Sequence, residues 1–535
     1  MSRNPFGACR TGGTAHCLDS MIDFTQLRAP ERNGAVLVIP DPKQWAALAR
    51  ANHAALSQCP ATILGEPLHV WRRRTRDALV GSDDRLVIVA GHQPDFIHAG
   101  VWAKNIVAHR FAAAVNGSVV DLVVDNDAPK SVHLNVPTIV DGRVALHAVR
   151  FANTHSGYSY EQFQPIQPAE IDAIQTEVAQ AMGDRYEPSA MPLFFHGLHA
   201  TAGRGDWVEQ IISGRKAVES AFDVAVSSVR VSEISMAGLF VETLVHAGRF
   251  ADAYNGSLAR YRLSNRVRSP GRPIPDLERI DDRIETAWWV YRRDERRRRL
   301  FVERTADRLR LYADQDEIGH WGVSDFSALA LEANPLFASG GWNVRPRALT
   351  LTLWARLFLA DLFIHGIGGA KYDRITDQII HDYFGIRPPT FTCVTGTLRL
   401  PLPQGVSDDT IRKLTRQLRD LRHNPQRYQS PDPGLEHLAR QRADAIARAA
   451  DLRGREPLNR PARREAFDRI RSLNAALVNA VPDVARDLRD RIAGVSRDRQ
   501  SNRIVGSREH FFAMSHRRSL ADFIAALPDE SAFRV

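Results

Sequence analysis

Cysteine is scarce in this chain: four cysteines among 535 residues are too few for a disulfide-stabilised scaffold. Cys9 and Cys17 flank His16, but these three residues form a poor half of a zinc site, and no second half follows at a suitable spacing. A disulfide framework and a structural zinc are therefore both disfavoured. With 44% apolar and 25% charged residues, the composition is typical of a globular protein with more than one domain.

Long hydrophobic runs are absent as well. The most apolar stretch, residues 349–364, contains Arg356 and Asp361. Each would cost about 3 kcal/mol at the centre of a bilayer, so the stretch is predicted to be a buried helix rather than a membrane span. The first twenty residues lack the apolar core of a secretory signal. We therefore expect a cytoplasmic protein that does not associate with membranes.

Lysine is the third scarcity, since only 6 of the 71 basic residues are lysines. The net charge is +9, and residues 401–535 hold 26 Arg or Lys against 18 Asp or Glu. Acidic and basic residues alternate there along helical patterns, as they do on solvent-exposed helices, and no RNA-binding motif is present. The sequence therefore disfavours nucleic-acid binding.

The order of apolar runs predicts an α/β protein in five sections. Residues 1–20 are a disordered extension, and 21–165 form the first part of a core built on a Rossmann-like parallel sheet. Residues 166–340 are an inserted section with helices and strands. The second part of the core, 341–402, contains a glycine-rich loop, and 403–535 form a helical C-terminal section.

The strongest local signal joins a buried strand to the start of a helix near residue 91. Ligands of open α/β sheets bind beyond the carboxyl ends of the strands, where helix N-termini present N–H groups to anions. A structural loop is the alternative. The residues expected to bind an anionic substrate here are Gly91, His92, Gln93, His98 and Lys104.

An acidic motif, Asp125-Asn126-Asp127, closes the next predicted strand and precedes Lys130. Two carboxylates at this spacing could hold Mg²⁺ together with substrate phosphates, orient a substrate amine, or cap a helix. No metal is assigned on this evidence. We expect Asp125, Asp127 and His92 to be catalytic and Lys130 to bind substrate.

A glycine-rich segment, His365 to Asp373, follows the apolar stretch. Its glycines allow close backbone approach to a ligand, or they end the preceding helix as a C-cap. The spacing matches neither a Walker A loop nor a dinucleotide-binding motif. Under the ligand hypothesis the substrate-binding residues are Gly366, Gly368, Lys371 and Tyr372.

Taken in order, these segments resemble the cysteine ligase family of bacillithiol biosynthesis (the BshC family). That family has a Gly-Gln-Gln loop, a helix with a lysine, an acidic stretch, and later an Arg-Pro, an apolar helix and a glycine turn. This chain has Gly91-His92-Gln93, Lys104, Asp125-Asn126-Asp127 and Gly366 to Gly369 at the matching places, followed by Phe384-Gly385. His92 replaces a glutamine, and Gly369 replaces a glutamate. The His-Gln-Pro loop is also similar to the WbqC-like family of sugar and polysaccharide biosynthesis.

The resemblance implies a ligase that joins an amino acid such as cysteine to an amino-sugar acceptor, with ATP and Mg²⁺ as candidate cofactors. It also implies a small-molecule substrate and a homodimer formed through the C-terminal helices. One alternative is a glycosyl- or nucleotidyl-transferase that uses the same cleft. Another is a non-catalytic scaffold or RNA-binding protein that uses its arginine-rich helices, whose binding would weaken steeply with salt.

Overall fold

The computed structural model describes nine stretches of the chain: residues 26–81, 85–152, 157–269, 271–272, 274–322, 341–403, 408–428, 433–479 and 482–534. The predicted extension 1–20, with Cys9, His16 and Cys17, lies outside the described residues. The chain forms two compact units. The first comprises the residues up to 134, 148–399 and those from 508 onward, and the second comprises 135–147 and 400–507.

Strands of the described residues are, in chain order, β1 (Val36–Ile39), β2 (Thr62–Ile63), β3 (Glu66–Pro67), β4 (Val87–His92), β5 (Ser118–Val123), β6 (His133–Val140), β7 (Arg143–Arg150), β8 (Ser227–Arg230), β9 (Arg279–Ile280), β10 (Arg283–Arg292), β11 (Arg298–Arg304), β12 (Arg308–Ala313), β13 (Asp316–Gly322), β14 (Trp342–Pro346), β15 (Leu362–His365) and β16 (Phe391–Gly396). The α-helices are α1 (Trp45–Ser57), α2 (Leu68–Val80), α3 (Ala99–Ala114), α4 (Pro168–Met182), α5 (Met191–Ala200), α6 (Trp207–Ser220), α7 (Ala237–Val245), α8 (Ala247–Ser264), α9 (Ala348–Trp354), α10 (Ile367–Phe384), α11 (Asp408–His423), α12 (Pro433–Arg455), α13 (Arg460–Asn479), α14 (Pro482–Gly506) and α15 (Arg517–Ala525).

The central sheet of the first unit has six strands in the order β1-β16-β15-β4-β5-β8. Strand β1 is antiparallel to β16, and every other neighbouring pair is parallel. The apolar run of β4 is fully buried, as expected for a parallel strand that is covered on both faces; Val87, Ile88 and Val89 have no exposed surface. The prediction of an α/β protein with a largely parallel sheet is confirmed.

Chain order in this sheet reverses between β4 and β15. From β4 the chain continues through β5 to β8 at one edge, and much later it returns through β15 to β16 on the other side. Strand β8 lies within the range 166–340, which the sequence predicts as an inserted section. Its four residues, Ser-Ser-Val-Arg, contain one apolar side chain, so no apolar run marks it, and its pairing with β5 makes it a strand.

The apolar stretch 349–364 is not one helix. Helix α9 ends at Trp354, a π-helical segment covers Ala355–Leu359, and strand β15 follows. Asp361 lies at the break, fully buried, and its carboxylate accepts hydrogen bonds from Arg76 and from the backbone N–H of Val87. The prediction of a helix up to residue 364 is wrong because an apolar run does not by itself distinguish a buried helix from a buried strand. No helix of the described residues is long and apolar enough to cross a membrane.

A second, antiparallel sheet in the first unit has the order β13-β12-β11-β10-β14. Trp288 on β10 is buried in its core, and its indole N–H donates to Thr243 Oγ1 at 2.9 Å. The neighbouring Trp289 points to the opposite face, because successive side chains of a strand alternate. Strand β14 then leads directly into α9, so the second sheet connects to the central sheet through that helix.

The second unit consists of helices α11 to α14 and the tip of the β6–β7 hairpin. Leu435 and Leu477 form a small core between α12 and α13. The hairpin is held by Arg143, which pairs with Asp498 of α14 at 2.7 Å. After α14 the chain returns to the first unit, so the last part of the predicted helical section 403–535 belongs to that unit.

Candidate functional site

The carboxyl ends of β4 and β15 are adjacent, since Leu362 pairs with Ile88 and Phe363 with Val89. Each strand is followed by a loop and a helix: β4 by α3 and β15 by α10. This is the point where the strand order reverses, and a reversal separates the two connecting segments and opens a crevice between them. The two segments with the strongest sequence signals, near residues 91 and 366, therefore lie side by side.

His98 caps the N-terminus of α3. Its Nδ1 accepts a hydrogen bond from the backbone N–H of Gly100 at 3.1 Å. Burial, followed by the nearby positive charge of Arg508, lowers the pKa of His98 to about 4. The ring is therefore neutral at pH 7 and carries its proton on Nε2, which remains as a donor.

His92 is the last residue of β4 and is neutral as well. Burial and, secondly, the charge of Lys104 lower the pKa of His92 to about 3. Its Nδ1 lies 3.2 Å from the carbonyl oxygen of Gln93. The two histidines of the predicted anion-binding group therefore act as neutral hydrogen-bonding groups, and a cation must come from elsewhere.

Lys104 supplies that cation from the second turn of α3. Its side chain reaches back to the strand end, where Nζ donates to the carbonyl oxygen of Gly91 at 2.6 Å. The residue is 4% exposed. Burial lowers the pKa of Lys104 to about 8, partly opposed by Asp121, so the ammonium group is still mostly protonated at pH 7. One of its three N–H bonds is used by Gly91, which leaves two for a ligand.

Helix α10 begins at the glycine-rich segment. Gly366 is its N-cap and contributes no capping side chain, and the first helical hydrogen bond runs from the N–H of Ala370 to the carbonyl of Gly366. The N–H groups of the three residues between them make no bond within the helix. A Cβ atom at Gly366 or Gly368 would meet nothing within 4 Å, so this helix end is open. The glycines therefore begin α10 and are not a C-cap of the preceding helix.

His365, the last residue of β15, is held by a buried ion pair. Its Nε2 lies 2.8 Å from Asp373 Oδ2, which also accepts from Arg356 at 2.7 Å. Although burial opposes ionisation, Arg356 and then His365 hold the pKa of Asp373 below its usual range. Nε2 is thus turned toward the carboxylate, and Nδ1 faces the backbone of Gly369.

Arg508 reaches the same region from the C-terminal segment of the chain. Its Nη1 donates to Gly396 O at 2.7 Å and to Thr395 Oγ1 at 3.1 Å, at the end of β16. This position requires glycine at residue 100, because a Cβ atom there would lie 2.4 Å from Gly396 O and 2.9 Å from Arg508 Nη1. Arg508 thus adds a second positive charge near Lys104, since both charges lower the pKa of His98, and its remaining N–H groups can donate to a ligand.

The two predicted catalytic carboxylates are in different environments. Asp125 is fully buried and accepts hydrogen bonds from Arg230 Nε at 2.8 Å and from the backbone N–H of Ser232 at 2.9 Å. Asp127 is part-exposed and accepts from Gln93 Nε2 at 3.0 Å and from Arg297 Nη1 at 2.9 Å. They therefore do not act as a pair, and no group of three metal-ligating side chains occurs in the described part of the chain.

The wall opposite the strand ends comes from the second sheet. Arg297 links to β5 through Asp127 and through the carbonyl of Asn126, and its guanidinium lies 5.1 Å from the ring of Trp289. Asn126 is 3% exposed and donates to Pro346 O, while no described residue donates to its Oδ1. The second sheet thus adds an aromatic ring and an acceptor oxygen.

These groups surround one cleft of about 740 Å³, within the range of small-molecule binding sites. Ten of the twelve predicted site residues line it: Gly91, His92, Gln93, His98, Lys104, Asp127, Lys130, Gly366, Gly368 and Tyr372. Asp125 and Lys371 do not line it. Lining residues that the sequence argument did not assign to the site include Asn126, Trp289, Arg297, Thr395, His365 and Arg508.

Signals for these missed residues differ. His365 stands directly before the glycine-rich segment, with Asp373 eight residues later, so a strand rather than a helix before the glycines would have identified it. Arg508 has no local signal, because it lies 404 residues from Lys104 among many arginines. Only the packing of the C-terminal segment against α3, where Phe512 stacks on Trp102, brings it to the cleft.

This sequence matches no protein-family model and no curated protein. The resemblance to the cysteine ligase family therefore depends on the motifs alone. Three of those motifs, Gly91-His92-Gln93, Lys104 and Gly366 to Gly369, line the same cleft. The acidic motif contributes Asp127 and Asn126, while its first residue, Asp125, stabilises the fold.

Proposed function

We propose that this chain is an enzyme that binds a small anionic substrate at the carboxyl ends of β4 and β15. The observation that carries the proposal is the open N-terminus of α10 beside the buried ammonium group of Lys104, in a cleft at the strand-order reversal. Unpaired N–H groups and a helix dipole attract an anion, and a desolvated cation beside them strengthens that attraction.

We further propose a Rossmann-like core. Numbered along the chain, the parallel strands β4, β5, β8, β15 and β16 follow the order 3-2-1-4-5 across the sheet, which is the order of that fold. Its ligands lie at the reversal between the first and fourth strands, which are β4 and β15 here. Shared fold alone does not identify a reaction, so the reaction is inferred from the cleft and the motifs.

Of the reactions that fit, we favour C–N bond formation between an amino acid such as cysteine and an amino-sugar acceptor. That reaction needs an activated carboxyl group to be stabilised, an amine to be oriented and water to be excluded. Lys104, Arg508 and the N–H groups of α10 would bind the anion. Asp127, part-exposed and held by Gln93, would orient the amine, and His365 Nδ1 would accept its proton.

ATP with Mg²⁺ is the co-substrate that such a ligase would use: transfer of a phosphoryl or adenylyl group would activate the carboxylate, and phosphate or AMP would leave as the amine forms the C–N bond. The N-terminus of α10 offers free N–H groups to phosphates, and Mg²⁺ is commonly held by one or two carboxylates together with phosphate oxygens. Asp127 and Glu509 are the cleft carboxylates with exposed surface, and Asp127, whose side chain is 39% exposed, is the one that belongs to the acidic motif. The same arrangement favours a second candidate, a glycosyl- or nucleotidyl-transferase with a nucleotide-linked donor.

The test uses full-length protein with ATP, cysteine and glucosaminyl malate, analysed by mass spectrometry, together with calorimetric titration of pyrophosphate. We expect a cysteinyl adduct of the amino sugar and measurable pyrophosphate binding. Lys104→Met should weaken pyrophosphate binding at least tenfold, because a charged hydrogen bond contributes about 1.5–3 kcal/mol. Lys371→Met is the matched control and should leave binding unchanged, since Lys371 does not line the cleft.

Different outcomes separate the parts of the proposal. Pyrophosphate binding without a cysteinyl adduct would reject this ligase reaction and keep the anion site; turnover of a nucleotide-sugar donor would then support the transferase. Equal weakening in the Lys104 and Lys371 variants, or no binding of pyrophosphate, ATP or ADP, would reject the anion site itself.

A further inference from the structure

Positive charge is concentrated in the second unit. Its residues, 135–147 and 400–507, hold 23 Arg or Lys against 15 Asp or Glu, which is 8 of the chain's net charge of +9. The first unit, with the candidate cleft, is almost neutral. A compact unit with this excess attracts polyanions at long range, whatever the first unit does.

Helix α13 presents one face of this unit to solvent as a basic stripe, defined here as Arg460, Arg464, Phe467 and Arg471. At 3.6 residues per turn the four positions fall within about 60° around the helix, and no acidic residue shares that sector. All four side chains are exposed, Phe467 by 62%. The buried face of the helix lies well away from the stripe and consists of Ala466, Leu473 and Leu477.

The arginines of the stripe have no partner among the described residues. Some other arginines on these helices pair locally, as Arg455 does with Asp451 at 2.7 Å and Arg440 with Glu436 at 3.7 Å. The guanidinium groups of Arg460, Arg464 and Arg471 make no hydrogen bond or ion pair with any described residue. An external anion can therefore bind them without displacing a partner from among the described residues.

The charge at the N-terminus of α13 has the opposite sign from the one usually found there. Acidic residues stabilise a helix N-terminus and basic residues destabilise it, because the N-terminus is the positive end of the helix dipole. Here Arg460, Arg463 and Arg464 are three of the first five residues, and the first turn has no acidic residue. Asn459 Oδ1 caps this helix end by accepting from the N–H of Ala462 at 3.2 Å, so the groups offered to a phosphate are the arginine side chains, and the helix dipole adds to their positive charge.

We propose that the basic stripe of α13 binds single-stranded nucleic acid. Guanidinium groups bind phosphate oxygens in a bidentate manner, which favours a phosphodiester backbone as the partner. The exposed ring of Phe467 in the middle of the stripe is a stacking surface for an unpaired base. A duplex would hide its bases from such a ring, so a single strand fits better.

This inference reverses the expectation from sequence. Arg, Asp and Glu alternate along residues 460–471, and that alternation indicates a solvated helix without a partner. Glu465 and Asp468 fall outside the sector of the stripe when the residues are wound on a helix. Asp468 borders the stripe, since it lies four residues after Arg464 and three before Arg471, and Glu465 lies farther round the helix. The alternation in sequence therefore becomes a partial separation of charge in space.

The test measures fluorescence anisotropy of a labelled 20-nucleotide single-stranded RNA with the full-length protein at several salt concentrations. The stripe variant replaces Arg460, Arg464 and Arg471 by Gln, and the control replaces Arg440, Arg448 and Arg469, which are also exposed but lie outside the stripe. We expect at least tenfold weaker binding in the stripe variant and at most threefold in the control. The slope of log Kd against log salt should fall by about 2 in the stripe variant.

Phe467→Ala separates stacking from charge. The substitution should weaken the binding of single-stranded RNA about fivefold or more. The binding of a duplex of the same length should not change, because only unpaired bases stack on the ring. Equal losses in the stripe and control variants would overturn the proposal in favour of diffuse charge. Binding of anionic vesicles but not RNA would also overturn it and would assign the site to a membrane, with the exposed Leu458 next to α13 as the inserting residue.

Discussion

Two helices begin beside each other at the carboxyl edge of the central sheet, and their N-termini differ. Helix α3 is closed: His98 caps it with Nδ1, and the neighbouring backbone is held by Phe512, whose N–H donates to Ile97 O at 2.9 Å. Helix α10 is open: Gly366 has no side chain, and three N–H groups precede the first helical bond.

Two adjacent helix ends can therefore contribute different groups to the binding of one anion. A capped end has used its backbone donors, so α3 contributes through side chains, Lys104 and the Nε2–H of His98. An uncapped end keeps its backbone donors and its dipole for a ligand, at the expense of helix stability. Sequence motifs alone do not reveal this division, since both segments contain glycine and histidine.

The substitution expected to change stability most adds a side chain at Gly369, in the first turn of α10. A Cβ atom there would lie 2.7 Å from His365 Nδ1, and His365 is held by Asp373 and cannot move away. We expect Gly369→Ala to lower the free energy of unfolding by about 1–3 kcal/mol, as in other overpacked sites. Urea unfolding measures it. The control, Gly368→Ala, meets no atom within 4 Å and should raise stability by up to about 1 kcal/mol; equal effects would contradict this geometry.

Removing the cap of the closed end should have the next largest effect. His98→Ala leaves the N–H of Gly100 without its acceptor, so we expect a loss of about 1 kcal/mol in urea unfolding. His98→Asn restores a capping oxygen and should recover most of that loss. If Asn were no better than Ala, the role of His98 in stabilising α3 would not be capping.

Acid should destabilise the closed end through its histidines. The folded-state pKa values of His92 and His98 are about 3 and about 4, below the unfolded value near 6.5, so the unfolded state binds more protons as the pH falls. Their contribution is complete above pH 6.5 and is lost progressively toward pH 3. Unfolding at pH 7 and pH 4.5 should therefore show a smaller loss for His98→Asn than for the wild type. An equal loss would place the acid sensitivity elsewhere.

The smallest effect is expected from closing the open end. Gly366→Ser provides a side-chain oxygen that can accept from the free N–H groups of α10, so stability should rise by a few tenths of a kcal/mol, about 0.3. The same bond competes with a ligand, so pyrophosphate affinity should fall while stability rises. Tighter pyrophosphate binding would show that the anion does not use this helix end.

The sequence predicted the segments of the site better than the residues that act in it. The loop after β4 and the glycine-rich segment were identified because each combines glycine with polar side chains next to an apolar run. Asp125 and Asp127 could not be told apart, because Asp125 is buried by its contacts with Arg230 and Ser232, which lie more than a hundred residues away in the sequence. The helix predicted up to residue 364 ends early, since burial of Asp361 and pairing with β4 are tertiary effects.

The features that follow from the sequence are local: the apolar runs of β4 and β5, the helical pattern of α3, and the position of the glycines. Hydrophobic burial and backbone conformation make these choices within a few residues. Only the folded chain shows that His365, Arg508 and Trp289 share a cleft with Lys104, and that the basic stripe of α13 faces solvent. Side chains hundreds of residues apart meet only through packing, and the elements packed around a helix determine which of its faces stays exposed.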